Sequence, residues 1–213
     1  MKKPYTIVIA HQKGGVGKST IASSLAVELS KKYNLTVLDL DKLKSLTYFN
    51  SVRKNSNLKP LNILHANTID ELKNLINNNK DILLIDVGGF DSDVNRIAIL
   101  GGDLIITPVS DSGIEQAGLL SFKEILNQIR KHRKDLTAHI LLNRIHPSAS
   151  TSLQELYDFI NEHEEFSKLD TIIRDRTEYK RAYESGISVI EQGGKAATEM
   201  NNLVLEIIKN GKN

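Results

Sequence analysis

The chain has 213 residues, and its 28 lysines and arginines against 26 aspartates and glutamates leave a formal net charge of +2. A hydrophobic fraction of 40% excludes a wholly disordered chain, and at this length we expect one domain over residues 1–213. The absence of cysteine excludes disulfides, thiolate metal sites and iron–sulfur clusters. No apolar run approaches the roughly 20 residues of a membrane-spanning helix, so we expect a cytoplasmic location.

Short apolar runs alternate along the chain with longer amphipathic stretches. The runs predict seven strands: Tyr5–Ala10, Leu35–Leu40, Asn62–His65, Ile82–Asp86, Asp103–Val109, Ala138–Asn143 and Thr171–Ile173. The stretches predict one-sided helices, whose apolar stripes begin at Ile21, Leu119, Leu153 and Met200. This alternation predicts an α/β fold with a mostly parallel, twisted sheet and helices on both faces.

The segment after the first predicted strand has the composition of a phosphate-binding loop. It reads His11-Gln12-Lys13-Gly14-Gly15-Val16-Gly17-Lys18-Ser19-Thr20. Glycines let backbone N–H groups approach phosphate oxygens, and the N-terminus of the following helix adds partial positive charge there. Lys18 suits the β- and γ-phosphates, and Ser19 suits Mg²⁺. A plain strand–helix turn is the alternative.

Three aspartates follow predicted strands at the edge where open α/β sheets bind ligands. Asp39 and Asp41 are two residues apart, so their side chains point to the same side. Asp86 ends an apolar run and suits a Mg²⁺ ion bound through water. Asn143 ends the sixth predicted strand, where its amide has both a donor and an acceptor and can bind a ligand or merely cap a loop.

The loop Lys13–Thr20 resembles the deviant Walker A box of the ParA/MinD family of P-loop ATPases. From Tyr5 to Ile208 the chain is similar to the short partition ATPases of that family, which lack an N-terminal helix-turn-helix domain. The resemblance implies a P-loop NTPase fold that binds ATP and Mg²⁺. The residues it assigns to ATP are Lys13, Gly14, Gly15, Val16, Gly17, Lys18, Ser19, Thr20 and Asn143. In related ATPases an asparagine at the place of Asn143 often reads the adenine edge, and a plain loop-capping role is the alternative.

The resemblance also implies roles in hydrolysis. Lys13 corresponds to the signature lysine, which reaches the ATP of the other subunit in an ATP-dependent sandwich dimer. Asp41 is tied to the attacking water, and Asp39 lies near the metal, which Ser19 and Asp86 also serve. The chain departs from the family's D-x-D-P-Q pattern, with Lys42 at the proline and Leu43 at the glutamine.

Further implications concern partners. In the family the dimer binds DNA without sequence specificity, and a ParB-like centromere-binding protein stimulates hydrolysis, which implies a nucleoid-associated protein. Arg174, Arg176 and Lys180 are the candidate DNA contacts, with ion pairing to neighbouring carboxylates (Asp175, Glu178 and Glu184) as the alternative.

The predicted last helix, Thr198–Lys209, is not basic enough for a membrane-binding tail. We therefore expect this helix to pack on the sheet, and we expect no stable membrane attachment. A MinD-like positioning ATPase acting on a membrane or protein scaffold is the alternative function. A metabolic P-loop enzyme, such as a small ligase or kinase, is the third.

Overall fold

The computed structural model describes Met1, residues 4–146 and residues 151–212. The strands in this part of the chain are β1 (Tyr5–Ile9), β2 (Leu35–Asp39), β3 (Ile63–Leu64), β4 (Ile82–Asp86), β5 (Leu104–Val109), β6 (Ala138–Ile145) and β7 (Phe166–Arg174). The helices are α1 (Lys18–Ser30), α2 (Ser45–Asn55), α3 (Ile69–Asn78), α4 (Asp93–Leu100), α5 (Gly113–Arg130), α6 (Thr151–Asn161), α7 (Thr177–Glu184), α8 (Val189–Gln192) and α9 (Gly194–Asn210).

The seven strands form one sheet in the order β3-β2-β4-β1-β5-β6-β7, and every neighbouring pair is parallel. Parallel neighbours need crossover connections, which the helices supply. In the register of the sheet, Asp86 lies opposite both Ile9 and Asp39. The carboxyl ends of β2, β4 and β1 therefore meet at one edge, and the predicted α/β fold is confirmed.

Both faces of the sheet are buried, as the continuous apolar strands predict. Ile7 and Ile9 of β1 belong to a core formed with α1, α2, α7, α8 and α9. Val8, which points the other way, belongs to a second core formed with α3, α4, α5 and α6. The central strands are thus held from both sides, which fixes the loops at their carboxyl ends.

The last helix packs on the sheet, as predicted. α9 begins four residues before the predicted Thr198, and three of its apolar side chains, Met200, Leu203 and Ile207, have no exposed surface. The apolar stripe of this helix is therefore buried in the core.

Strand β7 is longer than the predicted Thr171–Ile173. It starts at Phe166, and its first half interleaves polar residues, which hides it from a search for apolar runs. Register shifts interrupt its pairing with β6 between Ile140 and Ile145. Glu206 of α9 compensates, because its carboxylate accepts hydrogen bonds from the backbone N–H groups of Asp170 (2.6 Å) and Thr171 (3.0 Å).

Candidate functional site

The phosphate loop joins β1 to α1 and leaves the N-terminus of α1 open. Gly17, the residue before the helix, has a φ of 95°, which favours glycine, and it supplies no side-chain cap. The first turn of α1 contains no acidic residue. Its backbone N–H groups and the positive end of the helix dipole are therefore directed at the loop, as an anion site requires.

Asn143 fixes the loop from the side of β6. Its Nδ2 donates to the carbonyl of Val16 at 2.8 Å, and the side chain is 4% exposed. A Cβ added at Gly17 would lie 2.5 Å from the same Nδ2, so the close approach requires glycine. The structure thus gives Asn143 the loop-capping role, and adenine recognition by this residue stays a prediction.

His11 fixes the start of the phosphate loop. Its Nδ1 accepts a hydrogen bond from the backbone N–H of Lys13 at 2.9 Å, and its ring stacks on Phe122 of α5 with centroids 5.9 Å apart. Burial, followed by the charges of Lys18 and Lys13, lowers the pKa of His11 to about 4. The imidazole is therefore neutral at pH 7 and can accept this bond.

Lys18 is buried at the centre of the site. Its Nζ donates to the carbonyl of Lys13 at 2.9 Å. Burial lowers the pKa of Lys18, while the nearby carboxylates of Asp86 and Asp41 raise it. An ammonium group between these carboxylates and the glycine loop is placed to bind phosphate oxygens.

Asp86 and Asp39 end neighbouring strands and are fully buried. Burial raises the pKa of Asp86 to about 7, against the lowering effects of Ser19 and Lys18. Both carboxylate oxygens of Asp86, and Oδ1 of Asp39, are buried without a hydrogen-bond partner among the described residues. Oδ2 of Asp39 instead accepts from the backbone N–H (2.9 Å) and hydroxyl (2.6 Å) of Thr47, at the start of α2.

Such unpartnered buried oxygens call for a missing ligand. A hydrated Mg²⁺ fits this place, because Ser19 and Asp86 supply the oxygen ligands it prefers, directly or through water. Within the described part of the chain no three His, Asp or Glu side chains form a ready metal cluster.

The loop after β2 forms one wall of the site. Asp41 is half-buried, and its Oδ1 accepts from the backbone N–H of Leu43 at 3.1 Å. Lys42 is exposed, and its Nζ lies 4.4 Å from the centroid of the Phe90 ring. Leu43 is 83% exposed. The two residues that depart from the D-x-D-P-Q pattern are thus both exposed, and both line the cleft at the phosphate loop.

The loop after β4 also lines the site, and close packing and hydrogen bonds hold it in place. A Cβ at Gly89 would lie 2.6 Å from the backbone nitrogen of Gly14, so this loop touches the phosphate loop directly. Asn95 of α4 donates to the carbonyls of Phe90 (2.7 Å) and Gly88 (3.3 Å). The two loops are therefore packed directly against each other.

Two adjoining clefts open beside these loops. The first, of about 510 Å³, is lined by the phosphate loop, Asp41, Lys42 and Phe90. The second, of about 620 Å³, is lined by Gly15, Gly17, Asn143 and the segment from Arg174 to Glu184. Both volumes lie in the range of small-ligand sites. The first has the polar groups for phosphates, and the second extends away from it past Asn143.

The candidate DNA contacts lie along the second cleft, and two of them are engaged within the protein. The Nε and Nη2 atoms of Arg176 both donate to Glu199 of α9, at 2.9 and 2.8 Å. Arg174 donates to the carbonyl of His146 at 3.2 Å. Lys180 is 79% exposed, with a 3.7 Å ion pair to Glu184. Of the ion pairs considered from sequence, this last one is present, whereas Arg176 pairs with a distant residue instead.

Sequence reasoning missed several residues that shape the site. His11 and Asn95 each bind a functional loop, and Thr47 binds the Asp39 carboxylate. Tyr183 lines both clefts, and its hydroxyl donates to the carbonyl of Ser45 at 2.6 Å. Only His11 carried a signal, because it immediately precedes the glycine loop. The other contacts join distant segments and appear only in the folded chain.

Comparison with known proteins agrees with this geometry. Residues 7–189 match the model of the CobQ/CobB/MinD/ParA nucleotide binding domain. Maintenance of carboxysome distribution protein A of Halothiobacillus neapolitanus is 27% identical, over 97% of each chain. Protein ParA of Rhizobium radiobacter is 31% identical, over 51% of this chain and 50% of that protein.

Solved structures share the fold. A Borrelia burgdorferi protein described as a plasmid partition protein, bound to AMPPNP, has a TM-score of 0.72 and 20% identity, over 97% of this chain and 99% of the other. The MinD cell division protein of Aquifex aeolicus has a TM-score of 0.74 and 15% identity, over 96% and 97%. Among the described residues, no helix is long and apolar enough to cross a membrane.

Proposed function

Because the chain belongs to the CobQ/CobB/MinD/ParA family of nucleotide-binding proteins, we propose that this ATPase is a DNA partition protein. In this proposal ATP and Mg²⁺ join two subunits into a sandwich dimer, and the dimer binds DNA without sequence specificity. A ParB-like centromere-binding protein then stimulates hydrolysis, and the DNA is released. The observation that carries the nucleotide part is the open N-terminus of α1 facing buried, unpartnered carboxylate oxygens.

The proposed chemistry relies on positioning and charge. The amides of Gly14–Thr20 bind the phosphates, and Lys18 exchanges the carbonyl of Lys13 for their oxygens. Mg²⁺, when bound, neutralises charge on the phosphates, and the oxygens of Ser19 and Asp86 hold it. Asp41, which lines the phosphate cleft, orients the attacking water.

Two further assignments complete the proposed site. Asp39 lies near the Mg²⁺ and serves it through its buried Oδ1, since its Oδ2 is already bound to α2. Lys13, half-buried beside the cleft, serves the nucleotide of the second subunit.

The whole chain is proposed to act as a single P-loop ATPase domain, nucleoid-associated in the cell. The three basic residues of the second cleft are its proposed DNA contacts. Lys180 is the most favourable of them, because its ammonium is largely exposed.

A positioning ATPase for a protein-bound cargo is the second candidate. The full-length similarity to a carboxysome distribution protein supports this second candidate. A MinD-like membrane scaffold has less support, since the apolar stripe of α9 is buried in the core.

The central experiment is co-sedimentation with DNA, with and without Mg²⁺–ATP, across a salt series. We expect ATP-dependent pelleting, and a slope of log affinity against log salt of about −5 if a dimer neutralises roughly six phosphates. Analytical ultracentrifugation of the same samples should show a dimer only with ATP. Lys18→Ala is the control and should lose both responses. Pelleting with anionic vesicles instead of DNA would favour the membrane alternative.

A further inference from the structure

Lys42 occupies an unusual place for a positive charge. It follows Asp41 in the loop after β2, its side chain is exposed, and it lines the same cleft as Lys18 and Ser19. Its ammonium lies over the ring of Phe90, 4.4 Å from the ring centroid. A lysine at this position brings a cation into the cleft that the phosphate loop lines.

Phe90, which this cation contacts, is held in place by its neighbours. The ring of Phe90 lies directly over Gly88, where a Cβ would approach it to 2.5 Å. The carbonyl of Phe90 accepts a hydrogen bond from the buried amide of Asn95. Lys42, by contrast, is the exposed and flexible member of the pair, so it is the one that moves when a stronger partner enters the cleft.

A triphosphate is such a partner. An exposed cation–π contact is weak, whereas an ammonium–phosphate hydrogen bond is charge-assisted and stronger. Lys18, Asp41 and Lys42 line the same cleft, so a phosphate bound by Lys18 enters a cleft that Lys42 also lines. We propose that Lys42 is an additional phosphate-binding residue, held over Phe90 until the terminal phosphate of ATP enters the cleft. This inference rests on the proposed nucleotide site.

The test uses isothermal titration of the full chain with AMPPNP and with ADP, both with Mg²⁺. Lys42→Met keeps the length of the side chain and removes its charge. Because the site is exposed, this variant should fold normally. We expect AMPPNP affinity to fall about tenfold and ADP affinity by less than about twofold, with Lys42→Arg retaining most of the preference.

A matched pair of variants tests the contact with Phe90. Phe90→Leu keeps an apolar side chain but removes the ring that attracts the ammonium. We expect AMPPNP affinity to rise about twofold in the parent chain and to stay unchanged in the Lys42→Met background. A change of equal size in both backgrounds would mean that Phe90 acts independently of Lys42, and would overturn the proposed exchange.

The outcomes separate this inference from the proposed function. If the parent chain binds neither nucleotide, the nucleotide site itself is wrong, and the role of Lys42 falls with it. If the parent binds both and Lys42→Met binds them equally well, only the role of Lys42 is refuted. An equal drop in affinity for AMPPNP and ADP would refute the assignment to the terminal phosphate.

Discussion

Burial raises the pKa of Asp86 to about 7 from the 3.8 of a free aspartate, so the folded chain holds this carboxylate at a cost in stability. Below pH 3.8 the carboxyl is protonated in both the folded and the unfolded chain, and the cost is absent. Between pH 3.8 and about 7, Asp86 is ionised in the unfolded chain but still protonated in the folded chain. Above about pH 7 it is ionised in the folded chain as well. The cost is therefore complete only above the raised pKa.

Asp86→Asn should stabilise the nucleotide-free protein. The pKa difference sets an upper limit on the order of 4 kcal/mol, and we expect about 2 kcal/mol at pH 8 because the asparagine amide is also buried. Urea unfolding at pH 8 and pH 5 measures the difference, which should shrink at pH 5. His11 titrates in both proteins and cancels. A variant no more stable than the parent at pH 8 would contradict the raised pKa.

The same substitution should weaken the Mg²⁺-dependent part of nucleotide binding. Titration with ATP in the presence of Mg²⁺ and in the presence of EDTA separates the two parts. If Asp86 serves the metal, the affinity gained on adding Mg²⁺ should fall by about tenfold or more in the variant, and the affinity in EDTA should change little. An unchanged gain would remove Asp86 from the metal site.

At the level of elements, the connection from β7 to α7 is anchored by α9. Glu199 accepts hydrogen bonds from the backbone of Arg174 (3.2 Å), the guanidinium of Arg176 and the hydroxyl of Tyr179 (3.1 Å). A substitution of Arg176 therefore disturbs a wall of the second cleft. Its effect on DNA would be mixed with an effect on the fold, so Lys180 gives the cleaner test.

Lys180→Glu should lower DNA retention at saturating ATP and reduce the magnitude of the salt slope by about 1 for each phosphate that is no longer neutralised. The side chain of Lys180 is 79% exposed, so the fold should not depend on it. Lys32→Glu, an exposed lysine just beyond α1, is the matched control and should behave as the parent. Equal DNA retention in both variants would place the DNA-binding face elsewhere.

The elements that could be predicted from the sequence are those whose signal is local. The central strands are continuous apolar runs, and Lys13–Thr20 is a contiguous pattern, so both follow from the order of residues alone. The ends of β7 could not be predicted, because hydrogen bonds from its backbone to Glu206 replace part of the regular hydrogen bonding between strands. The roles of Thr47 and Asn95 depend on contacts with Asp39 and Phe90, which only the folded chain brings together.

At the scale of the whole molecule, two cores share one sheet, and each central strand contributes to both. A single domain over residues 1–213 stays a prediction, and in such a domain we expect both cores to unfold together because they share these strands. The clefts lie at the loops that connect the sheet to its helices. A ligand there should therefore stabilise the whole chain.

Calorimetry should show one unfolding transition, and Mg²⁺–AMPPNP should raise its midpoint. At a free ligand concentration about 100-fold above Kd, the stabilisation is about 2.7 kcal/mol, which corresponds to roughly 5–10 °C for a chain of this size. Lys18→Ala should show the same transition with no shift. Two transitions, with only one responding to nucleotide, would divide the chain into separate units.

The contact of Gly89 with Gly14 links the phosphate loop to a distant helix. A side chain at Gly89 would collide with the backbone of Gly14, and Asn95 ties the loop that contains Gly89 to the start of α4. Arg96, the next residue of α4, reaches Gln128 of α5 at 2.5 Å. An unbroken series of contacts therefore joins the phosphate loop, through the loop after β4, to α4 and α5.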